Sequence, residues 1–90
     1  MTFKFIITPS LAKQLDKLAK KDRILALAIR KKIYQVINSD IVFLEHSKNL
    51  RGDLKEYKRV HVGSFVLMFK IERDVIIFDR FRHHDDAYGR

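Results

Sequence analysis

The sequence predicts an α+β domain in the order β-α-α-β-β-β: an N-terminal strand, an α-hairpin, then an antiparallel three-strand meander. Two observations carry that prediction. Residues 11–37 repeat apolar side chains at helical spacing, whereas residues 54–81 hold three β-rich runs divided by hairpin-length turns. A third is size: 90 residues, 47% hydrophobic and 33% charged, suit one folded domain over 1–90 with no linker or internal repeat.

Each element has a local reason. Phe3 to Ile7 is a short apolar strand stopped by Thr8-Pro9-Ser10. Thr8 or Ser10 suits an N-cap, and Pro9 suits the first helical turn, where its missing N–H costs little. Leu11, Leu15, Leu18 and Ala19 form the apolar side of the first helix. Lys20-Lys21-Asp22 breaks it, and Asp22 caps a second helix. The spacing predicts that Ile24, Leu27, Ala28, Tyr34 and Ile37 are the buried stripe there, widened by Ile29, Ile33 and Val36. Asn38-Ser39-Asp40 ends that helix, and Ile41 to Leu44 open an irregular connection packed on the core. The β runs are 54–62, 65–71 and 75–81, joined by Gly63-Ser64 and by Glu72-Arg73-Asp74. The middle run, Phe65-Val66-Leu67-Met68-Phe69, is apolar throughout and reads as a central strand covered on both faces.

Composition narrows the function classes. There is no cysteine, which excludes disulfides and thiolate metal sites and makes a cytoplasmic setting the default. No apolar run is long enough to span a membrane, and Met1 to Ile7 does not read as a signal peptide. The net charge of +8 favours a polyanionic or acidic partner: nucleic acid, an anionic membrane surface or an acidic protein. Lys13, Lys17, Lys20 and Lys21 also read simply as a solvated helix face.

The residues with chemistry cluster late in the chain. Residues 81–90 bring together Arg82, His83, His84, Asp85, Asp86, Tyr88 and Arg90 where a strand runs out. Arg59 and His61 lie two apart and share a strand face, as do Arg80 and Arg82. Lys58 adjoins the first pair. This inventory suits RNA cleavage by the RNA's own 2′-hydroxyl. That reaction needs a base, cations for the charge on phosphorus and an acid for the departing 5′ oxygen, and needs no metal or cofactor. Histidine can take either proton role, arginine meets the charge, and tyrosine can donate a proton or stack on a base. Other readings compete. The four residues His83 to Asp86 resemble metal ligands, but neighbours in extended chain point to opposite sides and do not converge without a special turn. An exposed polar tail, with Tyr88 only packing the chain, is the other alternative.

The stretch Leu50-Arg51-Gly52-Asp53-Leu54-Lys55-Glu56-Tyr57-Lys58-Arg59-Val60-His61-Val62-Gly63 resembles the "L-x-G-x-L-x-x-Y-x-R-I-x-V-G" segment of the RelE/ParE toxin superfamily. Phe65 to Ile71, the turn Glu72-Arg73-Asp74 and the segment Arg82 to Tyr88 resemble the strand, turn and "G-H-R-x-D-V-Y" ending that follow in that superfamily. The resemblance implies the β-α-α-β-β-β fold and a toxin of a toxin–antitoxin pair. Its RelE branch cuts mRNA in the ribosomal A site, and its ParE branch poisons DNA gyrase. It implies His83 or His84 as general base and Tyr88 as acid or stacking platform. Arg82 or His84 would fill the terminal catalytic cation position, and Arg59, His61, Arg80 and Lys58 would contact RNA phosphates. Three positions depart from the pattern: Val66 stands where an arginine follows an aromatic residue, Arg82 stands at the usual glycine, and His84 stands at the frequent arginine after the histidine. The expected partners are a cognate acidic antitoxin, mRNA with the ribosome, and operator DNA through the antitoxin complex, with no membrane. The expected activity is a ribosome-dependent mRNA endoribonuclease. A gyrase-directed toxin and an inactive member that only binds its antitoxin or DNA stand as alternatives.

Overall fold

Capping residues set the boundaries of the helical hairpin. The computed structural model describes residues 4–39 and 57–84. Its elements are β1 (Lys4–Ile7), α1 (Pro9–Lys21), α2 (Arg23–Ile37), β2 (Lys58–Val62), β3 (Phe65–Glu72) and β4 (Val75–His83). Thr8 is the N-cap of α1, its hydroxyl accepting from the Leu11 N–H at 3.1 Å, with Pro9 behind it at the first helical position. A cap of this kind contributes about 1 kcal/mol. Asp22 alone joins the helices: its N–H donates to the Leu18 carbonyl, and its carboxylate accepts from the Leu25 N–H at 3.0 Å. The predicted starts at Phe3 and Leu54, and the connection at Ile41 to Leu44, lie outside the described residues.

The sheet order is β1-β4-β3-β2. The meander is antiparallel as expected, and β1 lies parallel to β4 on its outer side, with Lys4 opposite Val75 and Ile7 opposite Phe78. β3 is therefore an interior strand, and Val66, Leu67, Met68 and Phe69 are all fully buried. The hairpins turn differently. Gly63 takes φ +59 in the first, while Arg73 and Asp74 both sit at positive φ in the second, at 50° and 66°. The second turn is one residue shorter than expected, because Glu72 still belongs to β3.

One face of the sheet carries the helices. Leu11 and Leu15 from α1, and Ile29, Ile33, Val36 and Ile37 from α2, pack on Val62, Leu67, Phe69, Ile76, Phe78 and Phe81. Here the expected stripe of α2 is corrected. Ile24, Leu27 and Tyr34 are exposed at 82%, 50% and 67%, and the buried side is Ala26, Ile29, Ile33, Val36 and Ile37. The helix is apolar on two sides, so spacing alone leaves its rotation undetermined. The rotation is fixed by docking of the hairpin, which places four β-branched side chains on the sheet.

Candidate nucleic-acid interface

The face of the sheet turned away from the helices is built by strand alternation. On β2, Val60 and Val62 go to the core, so Arg59 and His61 go to the other side. On β3, Leu67 and Phe69 go to the core, leaving Val66 and Met68 beneath the opposite face. The register then forms two cross-strand rows: Arg59–Met68–Arg80 and His61–Val66–Arg82. Each row carries cationic or titratable groups at its ends and a fully buried apolar residue at its centre.

A bulge shapes the β4 end of these rows. Met68 pairs with Arg80 but Phe69 pairs with Phe78, so Asp79 is the extra residue. Asp79 Oδ2 accepts from Arg80 Nε at 2.5 Å, orienting that guanidinium. Arg82 is half-buried and makes no ion pair among the described residues.

The two terminal histidines separate. The His84 N–H donates to the Ser64 carbonyl at 2.8 Å, and its ring stacks on His61 with centroids 5.4 Å apart and planes 27° apart. His83 pairs with Phe65 on the helix side and meets that ring edge-on at 5.6 Å. Of the expected site residues, Arg59, His61, Arg80, Arg82 and His84 thus share one face. Lys58 lies on the side of Val60 and Val62, and His83 on the side of Phe81. Tyr88, with Asp85 and Asp86, lies outside the described residues. Among the described residues, no three His, Cys, Asp or Glu side chains gather as metal ligands.

Two contributors escaped the sequence reading. Lys70, two residues beyond Met68, extends the same face, its Nζ 5.4 Å from the Tyr57 ring centroid and 3.2 Å from a Glu72 oxygen. The two-residue alternation from Met68 was the available signal. Gln14, on α1, has no sequence signal at all: its amide bonds the backbone of Phe81, between Arg80 and Arg82.

A surface of this composition can bind a polyanion, hold a phosphate between guanidinium groups and move protons through imidazole. Among the described residues, no helix is long and apolar enough to cross a membrane.

Comparison with known proteins agrees with this fold. A family model for the ParE toxin of the type II toxin–antitoxin system parDE matches residues 5–88. A Methanocaldococcus jannaschii protein named "Putative toxin RelE4" is 41% identical over 87 residues, spanning 93% of this chain and 88% of the relative. The crystal structure of YafQ from Escherichia coli superposes with a TM-score of 0.72 at 19% identity, covering 97% of this chain and 99% of that one. The toxin–antitoxin complex RelBE2 from Mycobacterium tuberculosis contains a chain that matches with a TM-score of 0.69 at 21% identity, covering 92% of both. The chain belongs to the ParE toxin family of type II toxin–antitoxin systems, within the RelE/ParE superfamily that its motifs resemble.

Proposed function

We propose that this toxin is a metal-independent, ribosome-dependent mRNA endoribonuclease of the RelE kind. The observation that carries the reading is the gathering of Arg59, Arg80, Arg82 and the stacked His61–His84 pair on one sheet face. His84, not His83, is the better base, because it lies on that face. It takes the proton of the 2′-hydroxyl as the 2′ oxygen attacks phosphorus. The bond from phosphorus to the 5′ oxygen then breaks, leaving a 2′,3′-cyclic phosphate. The 5′ oxygen receives its proton from His61 as imidazolium or from Tyr88. Arg59 and Arg82 neutralise the charge on phosphorus, and Val66 and Met68 beneath them exclude water from the floor of the site, which strengthens those contacts.

The cognate partner in this reading is an acidic antitoxin. Its apolar side chains have a place to bind: Phe5 and Tyr34 line one groove between β1 and α2, and Ile24 and Leu27 are exposed on the same helix. Acidic side chains would offset part of the +8 charge. DNA is reached through the antitoxin, and the working compartment is the cytoplasm.

The test is cell-free translation with the purified toxin, mapping mRNA 5′ ends with and without ribosomes. Cuts that need ribosomes and fall by about 10²–10⁴-fold in His84→Ala are the expected result. Equal loss in His83→Ala and none in His84→Ala would reverse the assignment. A second reading has its own observation: Val66 leaves the centre of the His61–Val66–Arg82 row apolar where RelE-type relatives are expected to carry arginine. A gyrase-directed or antitoxin-binding-only protein would leave mRNA intact, and Val66→Arg would then be the variant in which to look for cutting.

A further inference from the structure

We infer that Gln14 is a positioning residue for the cationic face, its side-chain amide replacing a missing strand along the outer edge of β4. Its functional consequence rests on the RNA reading above, but its structural core does not.

β1 covers the outer edge of β4 only up to the pairing of Ile7 with Phe78, while β4 continues to His83. Past that point the outward peptide groups need other partners, because unpaired backbone polar groups in a partly buried edge are costly. α1 and its cap supply them. The Thr8 N–H donates to the Phe78 carbonyl at 3.1 Å, and the Thr8 hydroxyl donates to the Asp79 carbonyl at 2.7 Å. Gln14 then makes two bonds with one residue: its Nε2 donates to the Phe81 carbonyl at 2.9 Å, and its Oε1 accepts from the Phe81 N–H at 3.0 Å. A primary amide carries donor and acceptor side by side, so it reproduces the double exchange between paired strand residues.

The location gives this clamp its meaning. Asp79 is the bulged residue, and a bulge is where a strand's register is most easily lost. A slip of one residue would exchange the faces of Arg80, Phe81, Arg82 and His83. Thr8 holds the chain on the near side of the bulge and Gln14 on the far side. Between them they confine the extra residue to Asp79, so that Phe81 enters the core while Arg80, Arg82 and His84 emerge opposite. A residue on the helix side of the sheet thus fixes what the other side presents.

The experiment compares wild type, Gln14→Leu, Gln14→Glu and Ile29→Val by NMR on the full chain, with titration of a single-stranded RNA oligonucleotide. Ile29→Val is the control for a plain loss of core packing. Gln14→Leu is expected to speed exchange of the Phe81 amide by at least about tenfold and to abolish ring contacts between His61 and His84. Gln14→Glu keeps the acceptor and loses the donor at neutral pH, so it gives the same change in smaller measure, and it covers the case in which the leucine variant does not fold. Ile29→Val is expected to keep the histidine contacts. If wild type binds the oligonucleotide, Gln14→Leu should also flatten the dependence of log K on log salt by about 1.4, the share of two phosphate contacts. Retained His61–His84 contacts in both Gln14 variants, or their equal loss in Ile29→Val, would overturn the proposal. Failure of wild type to bind the free oligonucleotide would overturn only a direct RNA affinity of the face away from the ribosome, since the histidine signals decide the role of Gln14 independently.

Discussion

The two faces of the sheet bury the same strand by different means. On β3, Leu67 and Phe69 lie beneath helices, and Val66 and Met68 lie between rows of arginine and histidine, yet all four are fully buried. Burial on the helix side comes from apolar side chains locked by two helices. On the other side the centre of each row is flanked by long polar side chains, which can move into space left by a truncation. Low exposure therefore marks a helix-covered core on one face and the floor of a cationic surface on the other.

The largest test of that contrast pairs Phe69→Ala with Val66→Ala. Phe69→Ala should cost about 3–5 kcal/mol in urea unfolding, because the helices cannot collapse onto the cavity. Val66→Ala should cost only about 1.5 kcal/mol, the transfer term of two methyl-sized groups. A cost at Val66 as large as that at Phe69 would show that the cationic face is core after all.

The next contrast lies within α2. Ile33→Ala should lose about 2–4 kcal/mol, whereas Tyr34→Ala should lose less than about 0.5 kcal/mol, since Tyr34 is largely exposed. Tyr34→Ala should instead weaken antitoxin capture in a pull-down with the purified cognate protein. A stability loss at Tyr34 comparable to that at Ile33 would break the distinction between the two sides of the helix.

The third contrast lies between the hairpin turns. Asp74→Gly should raise stability by about 1 kcal/mol, because it relieves a side chain held at φ 66. Gly63→Ala should lower stability by a similar amount, although its added Cβ would meet nothing within 4 Å. Thermal melts of the two variants moving in opposite directions would confirm that backbone conformation, and not contact, decides at both turns.

Much of this was legible in the residues. Thr8, Pro9 and Asp22 announce the ends of the helices because capping is local chemistry. The two-residue alternation put Arg59 with His61, and Arg80 with Arg82, before any fold was known. The same rule separates His83 from Arg82, but His84 lies just past the end of β4, and its place on the cationic face follows from its stacking on His61. The rotation of α2 was not legible, because Ile24, Leu27 and Tyr34 offer an apolar side as plausible as the one that docks. Nor was Gln14, whose partner lies 67 residues away and is backbone, which any sequence supplies equally.

The parallel pairing of β1 with β4 sets an order of assembly. Lys4 to Ile7 have their sheet partners at Val75 to Phe78, so the first described strand has no ladder until the last has been synthesised. At about 5–20 residues per second, that leaves an interval of several seconds in which a growing chain holds a helical hairpin but no completed sheet. Arg80, Arg82 and His84 belong to the same late segment. The cationic face is therefore finished at about the moment the first described strand finds its place in the sheet.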